Sequence, residues 1–292
     1  MARVRRFNRT VTQRIGALDD RYLARGRPLG EARVLWEIGE AGCDVRTLRS
    51  RLDLDAGYLS RLLRSLEADG LVTVGASPTD RRVRRARLSR KGRRERTELD
   101  RRSDDLARSF LEPLSSDERQ RLVRSMAEVE RLLVAALVEI DVVDPDDPPA
   151  RHCLHEYFAE LDRRFDTGYD PSVALPALAH EMRMPAGGFL VASLHGEPIA
   201  CGAIKLHGRE PAELKRMWVA ADARGLGLGR RMLSSLEAWA ADHGAHAVRL
   251  ETNRTLVEAI AMYRSSGYRE VPAFNDEPYG DHWFEKRLGT QR

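Results

Sequence analysis

Midway along the 292-residue chain, the stretch AALVEIDVVDPDDPPARHCL (135–154) forbids one continuous architecture. Its three prolines lack the N–H that a helix interior requires, and Asp144, Asp146 and Asp147 favour turns and caps. A helix arriving from the N-terminal side must stop here, and the next cannot start before about residue 149. The β-branched EIDVVD predicts the opening strand of a second domain, since no Gly/Ser-rich tether is present. The length suits two cores, placed at 1–138 and 139–292. Charge divides along similar lines. Residues 1–96 hold 24 basic and 12 acidic groups, and the remainder 25 and 33, so a net +4 conceals ends of about +12 and −8. The basic end is drawn to a polyanion and the acidic end is not.

Several classes are excluded. No apolar run reaches the length of a membrane span, and the basic N-terminus lacks the apolar core of a signal peptide, so a cytoplasmic location and no membrane partner are expected. Cys43, Cys153 and Cys201 are far apart and read as reduced thiols. The eight histidines show no ligand spacing, and no metal site is expected.

The basic third opens with three helical patterns. Residues 8–24 align Val11, Ile15, Leu18 and Leu23; residues 29–42 align Ala32, Leu35, Trp36 and Ile38 and end at Gly42; residues 44–54 start at Asp44 as N-cap and bury Val45, Leu48 and Leu52. In DAGYLSRLLRSLEADGLV, Leu59, Leu62, Leu63 and Leu66 recur at i, i+3, i+4, i+7, with Asp55 as cap and Gly70 as stop. Tyr58, Ser60, Arg61 and Arg64 then point away from the core, with side chains that hydrogen-bond bases and phosphates. Two short helices joined by a tight turn make a helix-turn-helix. Strand, turn and strand follow, over 71–74 and 82–88. Arg81, Arg82, Arg84, Arg85 and Arg87 crowd this hairpin, a density of like charge that phosphates would neutralise.

LSRLLRSLEADGLV (59–72), DRR (80–82) and RLSRKG (87–92) together resemble the MarR family of winged-helix transcription factors, over about residues 5–137. The resemblance implies a homodimer on double-stranded operator DNA. Tyr58, Ser60, Arg61 and Arg64 would face the major groove. Arg81, Arg82 and Arg84 would contact minor groove or backbone, with Asp80 orienting an arginine. The first helix and helices over 90–112 and 116–137 would form the dimer interface, using apolar positions such as Leu106, Phe110, Leu122, Met126, Val129 and Leu133.

The acidic half mixes strands and helices. An amphipathic helix over 150–165 precedes two strands around HGEP, a strand at 212–220, a helix at 228–242, a strand at 247–253, a helix at 255–268 ending near Gly267, and a last strand at 282–288. The expected fold class is therefore two-domain: a mainly α winged helix-turn-helix unit, then an α/β unit with a mixed sheet. Between strand and helix lies RGLGLGRR (224–231). A nucleotide P-loop would need GK[ST] where GRR stands, and the dinucleotide fingerprint would need glycine where Arg230 stands. Gly225, Gly227 and Gly229 let backbone approach an anion. The N–H groups of Leu226, Gly227, Leu228, Gly229 and Arg230 lie unpaired at a helix start, where the dipole favours negative charge, and Arg224 and Arg230 supplement it. A pyrophosphate fits best.

LKRMWVAADARGLGLGRRML resembles the GNAT acetyltransferases, with their R-x-x-G-x-G signature at Arg224, Gly227 and Gly229; LETN and AIAMYRSSGY continue the pattern, over about residues 139–289. The resemblance implies acetyl-CoA, its pyrophosphate on the loop and its pantetheine along Met217, Trp218 and Val219, with Asn253 orienting pantetheine or a water. It implies Tyr263 as the acid that protonates the departing sulfur. Acetyl transfer to an amine also needs a base and an oxyanion donor. Glu213 is the first candidate base and Glu251 the second, with the Val219 N–H as donor. Asn275, Tyr279 and His282 in FNDEPYGDHWFEK would meet a small polar amine acceptor, although Trp283 and Phe284 fit a strand core equally well. The expected function is a fused DNA-binding regulator and N-acetyltransferase; the alternative is a ligand-sensing transcription factor whose second domain binds acetyl-CoA or a metabolite without turnover.

Overall fold

A computed structural model describes residues 1–17, 23, 26–77 and 80–289. The chain forms two compact units, Met1–Met126 and Ala127–Arg292.

In the first unit, α1 (Ala2–Arg14) buries none of its residues, and Leu18 of its expected stripe lies outside the described residues. Helix α2 (Leu29–Ile38) stops earlier than expected, because Gly39 rather than Gly42 takes the first left-handed conformation, with φ +63°. The two-residue strand β1 (Cys43–Asp44) leads into α3 (Val45–Leu52). Asp44 occupies the N-cap position without a side-chain capping bond, and its carboxylate pairs with Arg85 at 2.9 Å. Helix α4 (Ala56–Ala68) is capped as expected by Asp55, which accepts the Tyr58 N–H at 2.8 Å. It buries Leu59, Leu62, Leu63 and Leu66, and Gly70 (φ +68°) ends it. Strands β2 (Val72–Ala76) and β3 (Arg84–Leu88) form the hairpin, and β1 adds to β3, giving the order β1-β3-β2. Residues 78 and 79 of the hairpin loop lie outside the described residues. Ser89 caps α5 (Arg90–Leu111) by accepting the Gly92 N–H at 3.0 Å. Helix α6 (Ser116–Ala135) follows, and the division between the two units falls within it.

In the second unit, EIDVVD is a strand, β4 (Glu139–Val143), antiparallel to β5 (Gly187–Leu194). Helix α7 (Pro148–Arg164) begins on the proline pair, where the missing N–H costs nothing. Beyond β5 come β6 (Glu197–Lys205), β7 (Ala212–Val219), α8 (Leu228–Asp242), β8 (Ala247–Thr252), α9 (Val257–Ser265), β9 (Arg269–Val271) and β10 (His282–Arg287). The seven strands pair in the order β4-β5-β6-β7-β8-β10-β9. Only β7 and β8 run parallel, making the sheet mixed. One apolar cluster joins the sheet to α8 and α9 through Met232, Leu236, Ile260 and Phe284; a second packs Cys153 of α7 on Phe189, Cys201 and Trp218. Strand β9 escapes sequence reading because three residues cannot establish an alternation. Among the described residues no helix is long and apolar enough to cross a membrane.

Candidate functional site

The second unit holds its site where β7 leaves β8. The parallel ladder is short, pairing Ala212 with Val248 and Glu213 with Arg249. Two adjoining cavities follow. The larger, about 430 Å³, runs along Met217, Trp218, Val219, Arg224, Gly225, Gly227, Leu228, Gly229 and Arg230 to Met262 and Tyr263 of α9. The smaller, about 100 Å³, is lined by Lys215, Arg216, Glu251, Asn253, Tyr279 and four further aromatic side chains, Tyr157, Phe165, Tyr169 and Tyr263. Tyr157, Met217 and Tyr263 belong to both walls.

The glycine loop is shaped by its sequence. Gly225 (φ +84°) and Gly227 (φ +75°) adopt left-handed conformations that other residues reach at a cost of roughly 1–2 kcal/mol. A Cβ on Gly229 would stand 3.0 Å from the Met262 sulfur. The first i→i−4 bond of α8 is donated by Arg231 to Gly227, leaving the N–H groups of Leu228, Gly229 and Arg230 without intrahelical acceptors. These amides, with the helix dipole, form a cradle chemically suited to a pyrophosphate. Leu226 does not line the cavity, and its side chain packs against the core. Arg224 lines the cavity, yet its guanidinium is engaged by Glu160 at 2.5–2.6 Å and donates to the Val219 carbonyl at 3.1–3.2 Å, so it stiffens the loop more than it offers free charge. Arg230 donates to Ser265 at 2.9 Å.

Tyr263 is buried, and its hydroxyl reaches the Met217 sulfur at 3.8 Å. Burial first, and then the Glu251 charge, push its pKa up, so the hydroxyl keeps its proton at neutral pH.

The two candidate bases share one buried cation. Lys215 pairs with Glu251 and, at 3.2 Å, with Glu213. Burial opposes the Glu213 charge, but Lys215, Lys205 and His207 outweigh it and hold the carboxyl below its ordinary range. Lys215 is held above its ordinary value by both glutamates, against its own burial. Glu213 lines neither cavity and spends its oxygens on Lys215, His207 and Asn275, so it does not face the acceptor space. Glu251 does reach the smaller cavity.

The expected acceptor residues are divided. Tyr279 lines the small cavity. Asn275 lines neither cavity; it donates to Glu213 at 3.3 Å and Glu251 at 3.4 Å and accepts from Trp283 at 2.8 Å. His282 lines neither cavity. Strand alternation sends it to the other face of β10, where it meets Glu270 at 2.6 Å and stacks on Phe284. Asn253 lines the small cavity, not the larger, and its amide serves the loop: it donates to the Tyr279 carbonyl at 3.0 Å and accepts from Thr255. Sequence reasoning missed Lys215 and Arg216. Their signal was present, since LKRMWV sets two adjacent cations inside an otherwise apolar strand.

In the first unit, Tyr58, Ser60, Arg61 and Arg64 are exposed on α4, opposite its leucines. Arg61 stacks over Tyr58 at 5.6 Å. Arg81, Arg82 and Arg84 are exposed on the hairpin. Asp80 accepts the Arg82 main-chain N–H at 2.9 Å, fixing the turn instead of an arginine side chain. Arg85 leaves the proposed polyanion group: Asp44 and the carbonyls of Ala41 and Gly42 satisfy it.

The chain matches the acetyltransferase (GNAT) family over residues 138–268 and the MarR family over residues 25–83. It is 33% identical over 135 residues to the IAA acetyltransferase of Azospirillum brasilense, covering 46% of this chain and 87% of that protein. It is 30% identical over 132 residues to the uncharacterized N-acetyltransferase YjgM of Escherichia coli K12, covering 43% of this chain and 78% of that one. A solved GNAT family acetyltransferase from Elizabethkingia anophelis with acetyl-CoA bound aligns at 15% identity and TM-score 0.38, over 52% of this chain and 99% of that chain.

Proposed function

Because the chain belongs to the GNAT acetyltransferase family and carries a MarR-family segment ahead of it, we propose that it is a DNA-binding regulator whose C-terminal domain, 139–292, acetylates a small polar amine using acetyl-CoA. The observation that carries the catalytic reading is Tyr263, a protonated phenol on the wall shared by both cavities.

The bare amides of Leu228, Gly229 and Arg230, with the edge of β7 at Met217 and Val219, would hold acetyl-CoA. When bound, it supplies an activated thioester. The chain's own residues do the rest. Glu251, in the lining of the small cavity, takes the amine proton directly or through water, and Lys215 holds that carboxylate in place. The Val219 N–H offers the oxyanion donor. Tyr263 gives its proton to the departing sulfur.

The N-terminal domain, 1–138, presents Tyr58, Ser60, Arg61 and Arg64 to base edges, and Arg81, Arg82 and Arg84 to the DNA backbone or minor groove. Homodimerisation would cover apolar side chains that stand exposed on α1 (Val4, Phe7, Val11) and on α6 (Val123, Met126, Leu133).

The test is incubation of the full chain with acetyl-CoA and a panel of small primary amines, with released coenzyme A measured by a thiol reagent and products by mass spectrometry. Acetylated amine supports the enzyme. Tight acetyl-CoA binding with no product from any amine transfers the assignment to the sensor that binds without turnover.

A further inference from the structure

We infer that Arg216 selects the acceptor, and that the acceptor carries an anionic group, a carboxylate or phosphate, beside its amine. The inference rests on the acetyltransferase reading and names the substrate class of that site.

The backbone at Arg216 is built for display. Across the β6–β7 ladder, Cys201 opposes Trp218 and Ala203 opposes Lys215, so Arg216 and Met217 together face Gly202 alone. This is a bulge, and Arg216 sits in it with φ +56°, a left-handed conformation that costs a side-chain-bearing residue roughly 1–3 kcal/mol. The Cys201 thiol donates to the Arg216 carbonyl at 3.3 Å and braces the kink. Neighbours on a regular strand point to opposite faces, but here Lys215 and Arg216 both line the small cavity.

Their charges are treated differently. Lys215 has two carboxylates, Glu213 and Glu251. Arg216 is half-buried and has no ion-pair partner among the described residues. It stacks on Phe158 at 4.9 Å and Tyr157 at 5.8 Å and donates to the Tyr169 hydroxyl at 3.0 Å. A phenol that accepts from a guanidinium keeps its own proton to donate. Arg216 and Tyr169 thus bring two donors to one wall of the cavity, neither of them paired with a carboxylate. The other acid on that wall, Glu277, is turned to main chain, accepting from Leu175 at 2.9 Å and Tyr279 at 3.3 Å. A partly desolvated cation left so is unfavourable unless a ligand compensates it, and a bidentate carboxylate or phosphate matches a guanidinium. With the anion at Arg216, the amine lies toward Glu251 and Tyr263.

The experiment compares matched ligands on the full chain. Amino acids are set against their carboxamides, and phosphoethanolamine against ethanolamine, by acetyl transfer (kcat/KM) and independently by ligand-induced thermal stabilisation. A charge-assisted contact predicts that the anionic member of at least one pair is favoured about ten- to hundredfold. Arg216→Gln should reduce that preference to near unity, and Tyr169→Phe, which keeps the ring, should lower it part-way. Which pair responds separates carboxylate from phosphate. Equal response to anionic and neutral members in the wild type overturns the inference even if acetylation is robust. Anion-selective stabilisation lost in Arg216→Gln, with no turnover, upholds it while the acetyltransferase reading falls.

Discussion

Removing Lys215 tests the electrostatic frame of the site. Its ammonium is buried, as is Glu213, and one Asn275 amide reaches both Glu213 and Glu251. At the 3.2 Å separation from Glu213, and an effective dielectric constant near 20, one such pair attracts by about 5 kcal/mol before the cost of desolvating both ions is subtracted. Lys215→Met leaves two neighbouring buried carboxylates with no cation between them, a change of roughly 3–5 kcal/mol. For a unit of this size each kcal/mol moves the midpoint by about 2–4 °C, so the transition of the second unit should fall by roughly 6–20 °C at pH 7.5. The sign of the pH dependence is equally definite. In the wild type Glu213 is held below its ordinary 4.5, so its contribution is present above that pH and is lost as pH falls through the lower folded value. Lys215 is held above its ordinary 10.5, so its contribution is present below that pH and is lost as pH rises through the higher folded value. In the variant the paired carboxylates repel and one prefers a proton, so the deficit should shrink as pH drops from 8 toward 5. Differential scanning calorimetry at several pH values reads both effects. A midpoint within about 2 °C of wild type at pH 7.5, or a deficit independent of pH, refutes the reasoning.

Tyr263→Phe should lower kcat on the order of a hundredfold while calorimetric affinity for acetyl-CoA holds, since the ring stays and only the proton donor goes; an unchanged kcat would remove the tyrosine from the chemistry. Arg81→Ala combined with Arg82→Ala should weaken operator binding and flatten the plot of log affinity against log salt by about two counterions per protomer, about four for the homodimer; an unaltered slope in fluorescence anisotropy would take the hairpin off the DNA.

Much of this molecule is legible in local pattern. Four leucines at helical spacing orient α4 and thereby its exposed arginines, because a 3.6-residue period fixes both faces at once. Gly227 announces the start of α8 because few other residues accept its left-handed conformation. EIDVVD reads as strand since β-branching and flanking prolines agree. The rest depends on contacts distant in sequence. Arg85 looks like its wing neighbours until Asp44, forty-one positions away, is seen to neutralise it. Glu213 ranks ahead of Glu251 in the sequence until the fold places Lys215 between them and gives Glu251 alone a cavity wall. His282 and Trp283 are neighbours in the chain but not in function, because a strand sends them to opposite faces and no spacing rule says which face holds the site.

The central claim is that bare amides at the start of α8 hold the pyrophosphate of acetyl-CoA, and titration calorimetry addresses it directly with three runs: acetyl-CoA into wild type, acetyl-CoA into Gly227→Ala, and S-acetylpantetheine, which lacks the pyrophosphate, into wild type. Binding of acetyl-CoA to wild type, weakened about tenfold or more both by the added methyl at a φ of +75° and by loss of the pyrophosphate, is the predicted result. No heat with acetyl-CoA, or equal affinity for S-acetylpantetheine, would contradict it.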